Sequence, residues 1–121
     1  MQTWVTQARK GLIELWLMGH LAQGQSYGYQ LQELVFENSG QKVPAGTIYP
    51  ILARLRRAGW VAVHDNYSPL GPRRRYYCLS SKGAQRLRQM KRYWQSMVRA
   101  TGKSFGAKNS GRSGRGAESR R

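Results

Sequence analysis

The sequence predicts a mainly α fold that carries one small β-hairpin. Three apolar-periodic segments come first, then two short alternating segments split by a Pro/Gly-rich turn, then one long amphipathic segment. The length of 121 residues suits one compact domain with a small core.

The first helix is expected from about Thr3 to Ala22. Leu12, Leu15, Trp16 and Gly19 recur at helical spacing, and Val5 and Ala8 extend that face. Its second half is apolar nearly all round, so it should be central. The apolar run from Leu12 to Ala22 contains Glu14 and no cleavage site follows it. A bilayer needs about 20 apolar residues, so this reads as a buried helix, not a signal peptide or a membrane span. Gln23 and Gly24 end it. Ser26 then reads as an N-cap. Tyr27, Leu31, Leu34 and Val35 follow the helical period to about Glu37, and "ENSGQ" is a loop.

The third helix is expected over "PAGTIYPILARLRRA", Pro44 to Ala58, closed by Gly59. Pro44 suits a first turn and Gly59 a terminus. Ile48, Leu52 and Leu55 face inward with Ile51 beside them, while Thr47, Tyr49, Ala53, Arg54 and Arg57 fall on other faces. Pro50 removes a backbone hydrogen bond inside the helix and should bend it. "WVAVHDNY" then alternates as a strand, "SPLGP" turns the chain, and "RRRYYCL" returns. The hairpin tip carries Arg73, Arg74 and Arg75. Ser80 should cap a last helix to about Ala100, with an apolar stripe of Leu87, Met90, Trp94, Met97 and Val98. Residues 102–121 are rich in Gly, Ser and Arg, and are expected to be a disordered basic tail. The resulting division is 1–79, 80–101 and 102–121.

Charge bounds the function. There are 21 Lys and Arg against 5 Asp and Glu, a formal +16. Residues 102–121 hold six basic residues and one acidic, a net +5, leaving +11 for residues 1–101. The folded part must therefore carry a positive face of its own, which suits a polyanion such as nucleic acid. The single cysteine, Cys78, cannot form an intramolecular disulfide, and with only His20 and His64 no zinc-ligand spacing exists. A reduced cytoplasmic setting follows. No carboxylate pair, nucleophile beside a histidine, phosphate loop or metal motif is present, so neither an enzyme nor a cofactor is expected.

Helices followed by a hairpin and a last helix make a helix-turn-helix with a wing. In that arrangement the second helix of the pair, here Pro44 to Ala58, lies in the major groove of double-stranded DNA and the wing meets flanking phosphates. "GTIYPILARLRRAGWV" followed by "GPRRRYYCLSSKG" resembles the PadR family of bacterial transcriptional regulators. Thr47, Tyr49, Pro50, Leu52, Arg54, Leu55 and Gly59 fit its first motif; Gly71, Arg74, Arg75, Tyr76, Tyr77, Leu79 and Gly83 fit its second; "YGYQL" fits its second helix. Ile48 stands where leucine is usual, and Ser80 where threonine is usual. The resemblance covers roughly residues 8–100. It implies a winged-helix homodimer, bound to the bacterial nucleoid, that represses a nearby gene at a palindromic operator. It also accounts for Pro50, since the family carries a proline there. A single helix after the wing is the pattern of the small subclass, whose dimers form through that helix and the first.

The expected DNA contacts are Thr47, Tyr49, Arg54, Arg73, Arg74 and Arg75. Against each stands a plainer role. Arg75 shares a strand face with Tyr77 and can be structural, and Arg54 can pair with Glu33 or Glu37. Arg56 and Arg57 read as a solvated face. The expected dimer interface is Leu12, Trp16, Leu87, Met90, Trp94 and Val98. Trp94, Met90 and Met97 are also the candidate site for a small aromatic effector, sandwiched between paired tryptophans at a two-fold axis; dimer packing is the simpler reading. Cys78 reads as a small buried hydrophobe. The competing function is a nonspecific nucleic-acid coating protein, using the basic surface and the tail as an electrostatic arm.

Overall fold

The computed structural model describes residues 2–40, 42–66 and 74–106. The order is α1 (Gln2–Leu21), β1 (Ser26–Tyr27), α2 (Gly28–Ser39), α3 (Ala45–Arg57), β2 (Val61–Asn66), β3 (Arg74–Leu79) and α4 (Ser81–Ser104). The mainly α fold with its wing is as expected. Two compact units divide between Leu87 and Arg88, not between Leu79 and Ser80. Gly83 and Leu87 are buried, so the first turns of α4 belong to the first unit.

The first unit closes around carbon. Ile13, Leu17, Met18 and Leu21 from α1 meet Leu31 and Val35 from α2, Ile48, Ile51, Leu52 and Leu55 from α3, and Val61, Tyr77 and Leu87. The α3 face is the one its periodicity predicts. The α1 face is not. Leu12, Leu15, Trp16 and Gly19 are only half-buried, and the inward stripe is Ile13, Leu17 and Leu21 with Met18 beside it. A helix that is apolar all round does not declare from its own sequence which stripe meets the core.

The sheet has three strands, not two. β3 lies between β1 and β2, antiparallel to both, with Ser26 opposite Tyr77, Tyr27 opposite Tyr76, and Val63 opposite Tyr77 on the other side. Ser26 is therefore not the cap of α2. Its hydroxyl meets His20 Nε2 at 3.0 Å, and helix α2 starts two residues later. There the Gln30 side-chain oxygen accepts the Tyr27 N–H at 2.8 Å. Two residues are too short to show a period of two in sequence, and a serine before an apolar-periodic run mimics a cap.

Ser80 does cap α4. Its hydroxyl accepts the Gly83 N–H at 2.9 Å and donates to the Gly59 carbonyl at 2.6 Å. One side chain thus ties the start of α4 to the end of α3. Gly83 is needed at that junction: a β-carbon there would lie 2.1 Å from the Trp60 carbonyl oxygen. Gly59, at φ +82°, lets the chain leave α3 through the left-handed region that favours glycine. Pro50 lies inside α3. It has no N–H for the Gly46 carbonyl, the partner four residues back.

In the second unit the helix continues to Ser104. Residues 102–104, expected in the tail, are its last turn, and Gly106 follows at φ +75°. Residues 107–121 and 67–73, where the sequence predicts the hairpin turn with Gly71, Pro72 and Arg73, lie outside the described residues.

Candidate nucleic-acid interface

Helix α3 packs Ile48, Ile51, Leu52 and Leu55 inward, which leaves Thr47, Tyr49, Ala53, Arg54, Arg56 and Arg57 on its outer side. Thr47 is half-buried; the other five are exposed. A β-carbon on Gly46 would meet nothing within 4 Å, so the start of this face is open.

Tyr49 has two sides. It is 38% exposed, yet its ring fills the place a side chain would take on Gly28. A β-carbon there would lie 2.4 Å from its hydroxyl oxygen. The "YGY" and "TIYP" stretches are thus one contact: Gly28 is small because Tyr49 lies across the start of α2. The flanking tyrosines serve the sheet. The rings of Tyr27 and Tyr76 are 4.4 Å apart, and the Tyr76 hydroxyl donates to Tyr27 at 2.6 Å. His64 stacks on Tyr76. Among the described residues no group of His, Cys, Asp and Glu could hold a metal.

Between α3 and β3 runs an open groove of about 560 Å³, lined by Tyr49, Leu52, Ala53, Arg56, Arg57, Arg75 and Tyr77. Its lining is mostly apolar and includes three arginines, Arg56, Arg57 and Arg75. Arg75 lies opposite Asp65 in the strand register, with Nε 3.8 Å from the carboxylate, and its positive charge acts on the Tyr77 hydroxyl. Burial pushes the Tyr77 hydroxyl above its usual titration range and nearby Tyr49 pushes it the same way, while Arg75 and Arg56 pull it down. Tyr77 stays a neutral hydroxyl group near neutral pH. The groove can hold a phosphate oxygen by charge-assisted hydrogen bonds.

Of the expected contacts, Thr47, Tyr49 and Arg75 lie on α3 and on the strand beside it. Arg54 is engaged elsewhere: its guanidinium pairs with Glu14 on α1, not with Glu33 or Glu37. Arg73 lies outside the described residues, and Arg74 pairs with Asn66 in the backbone register. Arg56 and Arg57, read in sequence as a solvated face, line the groove with Arg75. Helical periodicity puts them off the core, but only the return of β3 gives them a facing wall.

Of the expected dimer residues, Leu12, Trp16 and Met90 are half-buried and Trp94 and Val98 are exposed. Leu87 is a correction. It is 3% exposed in the single chain, so it is core of its own unit and has no surface to offer a partner. Met97 is exposed with Trp94. Cys78 is half-buried and free.

A helix-turn-helix with a three-stranded wing and a basic groove beside its outer helix defines a DNA-binding regulator. The model of the transcriptional regulator PadR-like family matches residues 17–89, and the chain belongs to that family. Among solved structures, it is similar to a PadR-like transcriptional regulator from Bacillus cereus (30% identity, TM-score 0.72, covering 85% of this chain and 99% of that one). A Streptococcus transcriptional regulator matches at 29% identity and TM-score 0.70, covering 78% of this chain and 93% of that one. A PadR family regulator from Eggerthella lenta matches at 25% identity and TM-score 0.73, covering 86% and 90%. A comparison with curated protein sequences returns no match. No helix among the described residues is long and apolar enough to cross a membrane.

Proposed function

We propose that this regulator is a homodimeric repressor that acts in the cytoplasm, on the nucleoid, at a palindromic operator. Each subunit inserts α3 into a major groove, with half-sites about one helical turn, ~34 Å, apart. Thr47 and Tyr49 meet the duplex from α3, and Arg73, Arg74 and Arg75 meet phosphates from the wing. Arg56 and Arg57 join Arg75 in holding the backbone strand that runs between the two contact points. Arg54 acts by position, pinning α3 to α1 through Glu14. The observation that carries this reading is the groove in which three arginines from α3 and β3 converge.

Dimerisation is supported by the apolar side chains the single chain leaves uncovered: Leu12 and Trp16 on α1, and Met90, Trp94, Met97 and Val98 on α4. A second copy removes that carbon from water. A flat aromatic effector between paired Trp94 rings would change the angle between the two reading heads and so release the operator. If Trp94→Ala left the response to effectors unchanged, control through this stripe would be ruled out.

The decisive experiment compares binding to the chain's own upstream DNA and to a scrambled duplex of equal length, at two salt concentrations. A specific regulator prefers the upstream duplex by about 10³-fold or more, and keeps that preference at higher salt. Equal binding to both, collapsing together as salt rises, would instead support a nonspecific coating protein.

A further inference from the structure

Asp65 and Glu118 are consecutive acidic residues, with none between them. Helix α4 lies wholly inside that interval and carries seven cations: Lys82, Arg86, Arg88, Lys91, Arg92, Arg99 and Lys103. The first two are used within the first unit. Lys82 Nζ donates to the Ala58 carbonyl at 3.1 Å, and the Arg86 guanidinium lies 4.5 Å from the centre of the Trp60 ring. The other five fall in the second unit, and all are exposed.

Their placement is ordered. At 3.6 residues per turn, Arg88, Arg92, Arg99 and Lys103 fall in a sector of roughly 60°, with Lys91 on its flank. Met90, Trp94 and Met97 occupy the opposite side, and Val98 lies beside Lys91. The cations span about 22 Å at 1.5 Å per residue. Arg88 and Arg92, and Arg99 and Lys103, are like charges four residues apart, which weakens a helix. An ordinary solvated face relieves this with Glu four residues before Lys or Arg; α4 has no acidic residue at all. A row of external anions would relieve it.

We propose that the basic face of α4 is a second binding surface for the phosphate backbone of duplex DNA, additional to the α3–β3 groove. It rests on the chain being a DNA-binding protein, but not on dimerisation or operator choice. An anionic membrane fits less well. A helix lying in a bilayer surface buries its apolar face, and with Trp94 and Met97 buried there these cations would point back to water. A polyanion approaching from the other side meets them directly. With the apolar stripe covered by a second copy, the same face stays open.

The test uses the full chain carrying Arg88→Gln, Lys91→Gln, Arg92→Gln, Arg99→Gln and Lys103→Gln together. Glutamine keeps helix propensity close to that of Lys and Arg. A second variant carries only Arg92→Gln and Arg99→Gln. The reading is the slope of log affinity against log salt on the upstream and scrambled duplexes. Each lost phosphate contact lowers that slope by roughly 0.9. The double variant should lose up to about 1.8, and the fivefold variant several units, equally on both duplexes. The upstream-to-scrambled ratio should stay as in the unmodified chain. Failure of the repressor reading shows in that ratio alone, so the two are distinguishable. Unchanged slopes in both variants would overturn the proposal. So would unchanged slopes accompanied by loss of binding to phosphatidylglycerol vesicles, which would assign the face to lipid.

Discussion

The two compact units use apolar residues in opposite ways. In the first, ending at Leu87, every element of more than two residues gives at least one side chain to a closed core. In the second, Trp94, Met97 and Val98 are 40%, 53% and 48% exposed. One helix begins inside the first unit and ends as the second, and the same 3.6-residue period serves both. Position along a helix does not say whether its stripe meets the chain's own core or awaits another surface.

The largest expected effect sharpens this contrast at α4. Leu87→Ala should cost about 2–5 kcal/mol, measured by denaturant unfolding at one fixed protein concentration. Trp94→Ala should leave the first unit's stability nearly unchanged and shift the oligomeric state in sedimentation experiments. If Leu87→Ala changed only the oligomeric state, the boundary between the units would be misplaced.

Glycine gives the next contrast, from one substitution at two sites. Gly83→Ala drives a methyl against the Trp60 carbonyl and should destabilise by about 1–3 kcal/mol, as overpacking does. Gly102→Ala meets nothing within 4 Å. It should raise stability or helix content by up to about 1 kcal/mol, the helix preference of alanine over glycine. Thermal melts and circular dichroism read both. Equal signs at the two sites would break the comparison.

Ser80→Ala removes the α4 cap and its bond to the Gly59 carbonyl, for about 1 kcal/mol. Its effect should be confined to the first unit, as hydrogen exchange at Gly83 and its neighbours would show. The smallest effect is at Tyr77. Its hydroxyl titrates above the usual value of 10.0 in the folded chain, so the unfolded chain loses its proton first. The contribution is intact below pH 10 and lost as pH rises through the folded value. Tyr77→Phe should flatten that alkaline fall in stability, and an unchanged profile would assign it to another group.

Much of the candidate site was legible in sequence as faces of a helix. The period of α3 separates Ile48, Leu52 and Leu55 from Thr47 and Tyr49, and two separated motifs agree in order and spacing. Gly28 and Tyr49 were legible only as motif letters. Their mutual contact, a ring lying where a side chain is missing, joins residues 21 positions apart and has no local signature. The partner of Arg54 is hidden for the same reason: it is Glu14, forty residues away on α1, and not the nearer Glu33 or Glu37.

The sequence by itself determined the class of fold, the inward face of α3, the Ser80 cap and the excess of positive charge. These depend on local period, local hydrogen bonding and composition, which a linear chain displays. Tertiary structure decided which stripe of α1 is core, recruited Ser26 and Tyr27 as a third strand, and faced Arg56 and Arg57 with Arg75. Each depends on what a distant segment brings alongside, and residues far apart in the chain become neighbours only when the core between them closes.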